Sequence, residues 1–102
     1  MPKVQLHVDT DRDVHIGIAG PLNHSTWAAL RRECHELEDV RTVVIDVSGV
    51  QSIDSAGIGV LLMIRECAEK KKGRVKIIGA MRNPSVTQVI KLAHLDKIFE
   101  IE

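Results

Sequence analysis

The stretch Gln51-Ser-Ile-Asp-Ser-Ala-Gly-Ile-Gly-Val-Leu-Leu62 decides how this chain is read. An apolar, β-branched run, Thr42-Val-Val-Ile-Asp-Val47, precedes it. A segment with helical spacing and a basic end, Lys70-Lys-Lys72, follows. A strand therefore leads through a short loop into a helix, with Asp54 and Ser55 at the junction. A helix start leaves backbone N–H groups unpaired and carries partial positive charge. A hydroxyl placed there either caps the helix or accepts a phosphate. Local sequence alone favours Ser55 as the cap.

Outward from that junction the pattern is regular. Val4, Leu6 and Val8 alternate with polar residues and predict a half-buried strand. Asp9 to Asp13 is a polar turn, and Val14, Ile16 and Ile18 predict the second strand of a hairpin. Gly20-Pro21 breaks the pattern, and Asn23 is the expected N-cap of a first helix. Trp27, Leu30, Cys34 and Leu37 give that helix an apolar stripe. The run from Thr42 to Val47 reads as a strand covered on both faces. The second helix is expected from Ser55 to Lys72. Its core residues are Ile58, Leu61, Leu62, Ile64 and Ala68, and Gly73 is the C′ stop. Val75 to Gly79 predicts a buried strand. Asn83-Pro84 predicts the N-cap and N1 of a third helix, with Val86, Val89, Ile90 and Ala93 on its core side. Ile98, Phe99 and Ile101 predict a last strand. The order ββαβαβαβ, with no repeats or linkers, implies an α/β fold. Its sheet would be mixed but mostly parallel, with helices packed against it.

Composition narrows the function. The 102 residues suit one domain, 1–102, and 44% hydrophobic residues suffice for a core without disulfides. The 14 basic and 14 acidic residues balance, which argues against a nucleic-acid partner. No run approaches a membrane span, and the N-terminus has no signal-peptide core, so no membrane insertion is expected. Cys34 and Cys67 lie in separate helical patterns and read as core residues of a reducing compartment. These features together predict a cytoplasmic protein.

The remaining candidate sites are weak. Gly57 and Gly59 each weaken a helix interior by about 1 kcal/mol relative to alanine. They serve either close packing of helix on sheet or a start kept small for an approaching partner. A dinucleotide fingerprint fails at Leu62, and no Walker lysine follows, so no nucleotide cofactor is expected. Ser52 and Ser55 lack the elbow of a hydrolase nucleophile. His7 and His15 face the outer side of the hairpin without a third ligand, and His24, His35 and His94 share no spacing, so no metal site is expected. Lys70 to Lys72 reads as a solvated helix end.

Ile53-Asp-Ser-Ala-Gly-Ile-Gly-Val-Leu-Leu62 resembles the signature of the STAS domain of bacterial anti-sigma factor antagonists. Gly20-Pro-Leu-Asn-His24 resembles that family's segment before the first helix. Lys76-Ile-Ile-Gly-Ala80, Pro84-Ser-Val86 and Leu92-Ala-His-Leu95 resemble its later half. The resemblance covers essentially the whole chain. It implies that Ser55 is phosphorylated by an anti-sigma-type serine kinase and dephosphorylated by a serine phosphatase. The unphosphorylated form would bind the kinase or anti-sigma partner, and the protein itself would catalyse nothing. The implied contact surface comprises Asn23, His24, Ser52, Asp54, Ala56, Gly57, Ile58, Met81 and Asn83. Two departures stand out. Asn23 replaces the usual aspartate, and the sequence ends at Glu102 without the extra C-terminal helix many members carry, leaving a face for a partner or a second copy. The alternative role is a STAS subunit bound to the ATPase of a membrane lipid transporter, with Ser55 to Gly59 as interface only.

Overall fold

A computed structural model describes residues 3–102. The strands are β1 (Lys3–Val8), β2 (Asp13–Leu22), β3 (Thr42–Ile53), β4 (Arg74–Ile78) and β5 (Glu100–Ile101). The helices are α1 (His24–Glu36), α2 (Ser55–Lys70) and α3 (Pro84–Leu92). One sheet carries the strands in the order β1-β2-β3-β4-β5. The β1–β2 pair is antiparallel and the remaining pairs are parallel. The expected α/β order and mixed sheet are both present.

Alternation along the strands selects one face for the core. Val14 and Ile16 of β2 lie opposite Val43 and Ile45 of β3, Ile45 lies opposite Ile77 of β4, and these are buried together with Ile18 and Val47. Leu30, Cys34, Val60, Leu61, Ile64 and Cys67 cover them from α1 and α2. The opposite face carries Gln5, His15, Gly17, Asp46 and Lys76, all exposed or half-buried. The two-sided burial expected for β3 is therefore corrected. Its run looked continuous because Val44 is apolar, yet Val44 and Asp46 are only half-buried on the uncovered face.

Several boundaries also differ from the sequence pattern. Strand β2 continues through Gly20-Pro21 to Leu22, because Gly20 takes φ 82° and two register shifts absorb the bend. Pro21 falls beyond the last described β1 partner, Lys3 opposite Ala19, where its missing N–H breaks no ladder bond on that side. Strand β3 reaches Ile53 rather than Val47, because Val50, Ser52 and Ile53 remain paired with β2. Helix α2 stops at Lys70, and Lys72 rather than Gly73 takes the left-handed C′ conformation at φ 62°. Lys72 N–H donates to Glu69 O at 2.9 Å and Gly73 N–H to Ala68 O at 2.8 Å, a Schellman closure. Gly73 is small for another reason: a Cβ there would lie 3.0 Å from Val40 Cγ1. Leu62 is 40% exposed, since the α2 stripe runs through Gly57, Val60, Leu61, Ile64 and Cys67 instead. Strand β4 begins one residue earlier than its pattern and ends at Ile78, since Gly79 takes φ 81°. The last strand shrinks to Glu100–Ile101; Phe99 is buried just before it and Ile98 is 43% exposed.

The hairpin places His7 opposite His15, and His15 Nε2 lies 3.2 Å from Asp9 Oδ2. The Asp13 backbone N–H and then the His15 side chain hold the Asp9 carboxyl below its ordinary range. Among the described residues no cluster of three or more histidine, cysteine or acidic side chains is arranged to hold a metal ion. No helix among them is long and apolar enough to cross a membrane.

The two cysteines meet where α1 packs on α2. Cys67 Sγ donates to Cys34 O at 2.9 Å, and both side chains are buried. Burial first, and the neighbouring Cys67 second, push the Cys34 thiol from its ordinary 9.0 up to about 12. The thiolate is the reactive form, so native Cys34 will react with iodoacetamide far more slowly than in the unfolded chain. Mass-spectrometric labelling at pH 8 with and without guanidinium checks this; equal rates would mean the α1–α2 contact opens freely. Because the native value is raised, the stability it contributes is present below pH 9.0 and is lost as the pH climbs toward about 12.

Candidate functional site

The site is assembled by the pairing of β2 with β3. Leu22 lies opposite Ile53, so the residues that follow them, Asn23 and Asp54, begin α1 and α2 side by side. In parallel β–helix units every helix starts at the same end of the sheet, and α3 starts there too, after β4. Three helix N-termini, each with partial positive charge, thus share one end of the molecule.

Each start is fixed differently. Asn23 caps α1: Ser25 N–H donates to Asn23 Oδ1 at 3.0 Å, and Asn23 N–H donates to Thr26 Oγ1 at 3.2 Å. Thr26 is fully buried, a capping partner the sequence pattern did not single out. Asparagine and aspartate are near-equal caps, so the departure at position 23 leaves α1 intact. At α2 the expected cap is corrected. Asp54, not Ser55, is the N-cap, with Gly57 N–H donating to Asp54 Oδ1 at 2.7 Å. Ser55 is the first helical residue and is exposed, and no hydrogen bond engages its hydroxyl among the described residues. The carboxylate reaches the amide three residues on, which leaves the hydroxyl without a capping task. At α3, Asn83 occupies the N-cap position and Pro84 the N1 position, but the Asn83 side chain makes no cap bond. Its Nδ2 instead donates to Val50 O at 2.5 Å and Val47 O at 3.3 Å. Asn83 therefore ties the start of α3 to β3, just ahead of the Asp54 junction.

The two glycines have different causes. Gly57 is buried, and a Cβ there would stand 2.1 Å from the Leu22 carbonyl oxygen and 3.0 Å from Ile53 Cγ1. The first turn of α2 thus lies directly on the backbone end of β2. Gly59 is half-buried, and a Cβ there would meet nothing within 4 Å. Close packing explains Gly57, whereas only Gly59 leaves surface space.

Around Ser55 the exposed set is His24, Ser52, Asp54 and Ala56, with Asn23 and Ile58 half-buried. Met81, in a 3-10 turn at Ala80–Arg82, is 76% exposed on the α3 side of the same end. Gly57 belongs to the floor beneath this surface. His24 follows the α1 cap, a neighbour the sequence could not tie to the junction, yet no hydrogen bond joins it to Ser55. None of the larger concavities among the described residues is lined by Ser55. The arrangement offers an accessible hydroxyl on an open surface at a helix start.

This fold has known counterparts. A family profile described as "Mlab, STAS domain" matches residues 6–100, and the chain belongs to that STAS domain family. Among solved structures, an anti-sigma factor antagonist from Mycobacterium paratuberculosis superimposes with a TM-score of 0.79 at 23% identity, covering 99% of this chain and 85% of that one. The phosphorylated form of the Bacillus cell fate determinant SpoIIAA gives 0.72 at 21%, covering 98% and 91%. A sulfate transporter family protein from Wolinella succinogenes gives 0.78 at 15%, covering 93% and 79%. At these identities the likeness is one of fold. The α/β STAS architecture expected from the sequence is the one observed.

Proposed function

We propose that this chain is a phospho-regulated binding module of a bacterial partner-switching pathway, acting from the cytoplasm as one STAS domain over residues 1–102. The observation that carries the reading is Ser55 at the first position of α2: exposed, its hydroxyl free of hydrogen bonds among the described residues, and beside a cap that Asp54 supplies alone. In the phosphorylation step Ser55 Oγ attacks the γ-phosphorus of ATP. The bond to the β,γ-bridging oxygen breaks, ADP leaves, and the hydroxyl proton passes to a base of the kinase. The unphosphorylated surface, formed by Asn23, His24, Ser52, Asp54, Ala56, Ile58, Met81 and Asn83 over Gly57, binds the anti-sigma/serine kinase. A serine phosphatase restores it. Supporting the reading, the fold is shared with anti-sigma factor antagonists, one of them SpoIIAA in a phosphorylated form. The protein does no chemistry of its own in this scheme, and a second copy is a further candidate for its uncovered surfaces.

The test is incubation with the cognate kinase and ATP, followed by intact mass and peptide mapping. One phosphate, on Ser55, is the expected result; phosphate elsewhere, or none, overturns the assignment. A second reading takes the chain as a transporter-associated STAS domain, a setting in keeping with the occurrence of this fold in a sulfate transporter family protein. There the chain is a subunit of a membrane lipid transporter complex, and the Ser55 to Gly59 surface is a standing interface with its ATPase. Co-purification separates the two: a kinase-type ATPase for the first, a transporter ATPase for the second.

A further inference from the structure

At the end of the sheet opposite Ser55, three arginines cluster at the starts of neighbouring strands. Arg12 immediately precedes β2, Arg41 immediately precedes β3, and Arg74 opens β4. Their backbones are joined directly: Arg41 N–H donates to Arg12 O at 3.0 Å, and Arg74 N–H to Arg41 O at 3.0 Å. Adjacent strands lie about 4.8 Å apart, and Arg12 and Arg41 come just before the rung that joins Asp13, Thr42 and Arg74, so the three side chains start close together. Lys71 and Lys72, from the turn after α2, complete a concavity of about 520 Å³ that holds five cations and one carboxylate, Asp39. The whole chain is electrically neutral, so this is a local separation of charge.

Most of these cations are not consumed by the fold. Arg41 pairs with Asp13 Oδ2 at 2.5 Å, and Lys71 Nζ donates to His35 O at 3.2 Å. Arg12, Lys72 and Arg74 have no ion-pair partner among the described residues. The backbone here also works against local preference. Arg12, Asp39 and Lys72 all take positive φ, at 67°, 51° and 62°, and all three line this concavity. Glycine or asparagine would occupy such positions with less strain. Two of the three instead carry a cation.

We propose that this cluster is a binding site for clustered phosphate groups, carried either by a soluble oligophosphate or by the headgroups of an anionic membrane. Clustered guanidinium groups match phosphate oxygens, and unpaired cations gain most from them. Because β3 runs from Thr42 at this end to Ile53 at the other, the site can be filled while a partner occupies the Ser55 end.

The test uses the whole chain, sodium tripolyphosphate in calorimetry, and vesicles of phosphatidylcholine with or without phosphatidylglycerol in co-sedimentation. Wild type is expected to bind tripolyphosphate, or the phosphatidylglycerol vesicles, or both, with binding that weakens as salt is added. The first result assigns a soluble source and the second a membrane one. The double variant Arg12→Asn/Lys72→Asn keeps residues that tolerate positive φ, so it should fold at least as well as wild type. It should bind about thirtyfold more weakly, at about 1 kcal/mol per lost cation near an anionic surface. Lys91→Gln/Lys97→Gln removes the same charge from exposed positions elsewhere and should leave binding unchanged. The proposal is overturned by absence of binding in both arms, by equal loss in both variants, by an unaffected Arg12→Asn/Lys72→Asn, or by equal binding to pure phosphatidylcholine.

Discussion

Gly57→Ala will destabilise the fold by about 3 kcal/mol, while Gly59→Ala, two residues further on, will leave stability unchanged or raise it by up to about 1 kcal/mol. The chemistry of the two substitutions is identical, and only the surroundings differ. At position 57 the new methyl would stand 2.1 Å from the Leu22 carbonyl oxygen. That oxygen is backbone, belonging to a residue that is 1% exposed and paired with Ile53, so it has little freedom to retreat. The first turn of α2 must lift off β2, and the Asp54 cap lifts with it. At position 59 a Cβ would meet no heavy atom within 4 Å beyond its own turn of helix, so alanine contributes its helix preference and nothing opposes it. Urea denaturation of the two variants beside wild type reads the difference directly. If both changes cost the same, the close approach of α2 to Leu22 is not what makes position 57 a glycine.

Ser55→Asp will leave the fold intact and weaken binding of the co-purifying ATPase by about a hundredfold, the scale of an uncompensated charge at the centre of an interface. The two halves of this expectation have separate physical origins. Folding is spared because Ser55 is exposed at the first helical position, where an added negative charge gains up to about 1 kcal/mol from the helix dipole. Asp54 next to it carries a like charge, which offsets part of that gain. Binding suffers because the exposed neighbours Ser52, Asp54 and Ala56 offer no cation to pair with a second carboxylate. Ser55→Ala supplies the contrast: stability within about 0.5 kcal/mol of wild type and binding retained, because no hydrogen bond is lost. Thermal melts and surface plasmon resonance on the three forms decide the matter. Wild-type affinity for Ser55→Asp would mean that the partner reads another face. A collapsed melting temperature would mean that the hydroxyl holds the helix start after all.

Both expectations rest on a division of labour between neighbouring residues that periodicity could not assign. Asp54 and Ser55 are both good capping residues, and local sequence favoured Ser55, the wrong one of the two. The choice follows from where β3 ends. Because pairing with β2 carries β3 to Ile53, the helix starts at Ser55 and the cap falls on Asp54. The same extension explains why Gly20-Pro21 failed as a stop signal. A proline interrupts a strand only where its N–H is needed, and beyond Ala19 the side facing β1 has no described partner.

What the sequence determined by itself was everything set over short distances along the chain. Alternation at Val14, Ile16 and Ile18, helical spacing at Leu30 and Cys34, and the capping chemistry of Asn23 are local, and each appears in the structure where the pattern placed it. The order of elements followed, and with it a parallel sheet that gathers all helix starts at one end. Tertiary structure decided what depends on which backbone lies beside which. Leu22 opposite Ile53 brings Asn23 next to the Asp54–Ser55 junction; the Leu22 carbonyl forbids a side chain at position 57; the pairing of β2, β3 and β4 gathers Arg12, Arg41 and Arg74 at one end of the sheet. These residues lie about thirty positions apart in the chain. Strand register is a long-range property fixed by the whole core, and no local period encodes it. The junction at Asp54–Ser55 was visible in the sequence as a place where a helix begins. That the cap and the free hydroxyl are two different residues was decided by the packing of β3 against β2.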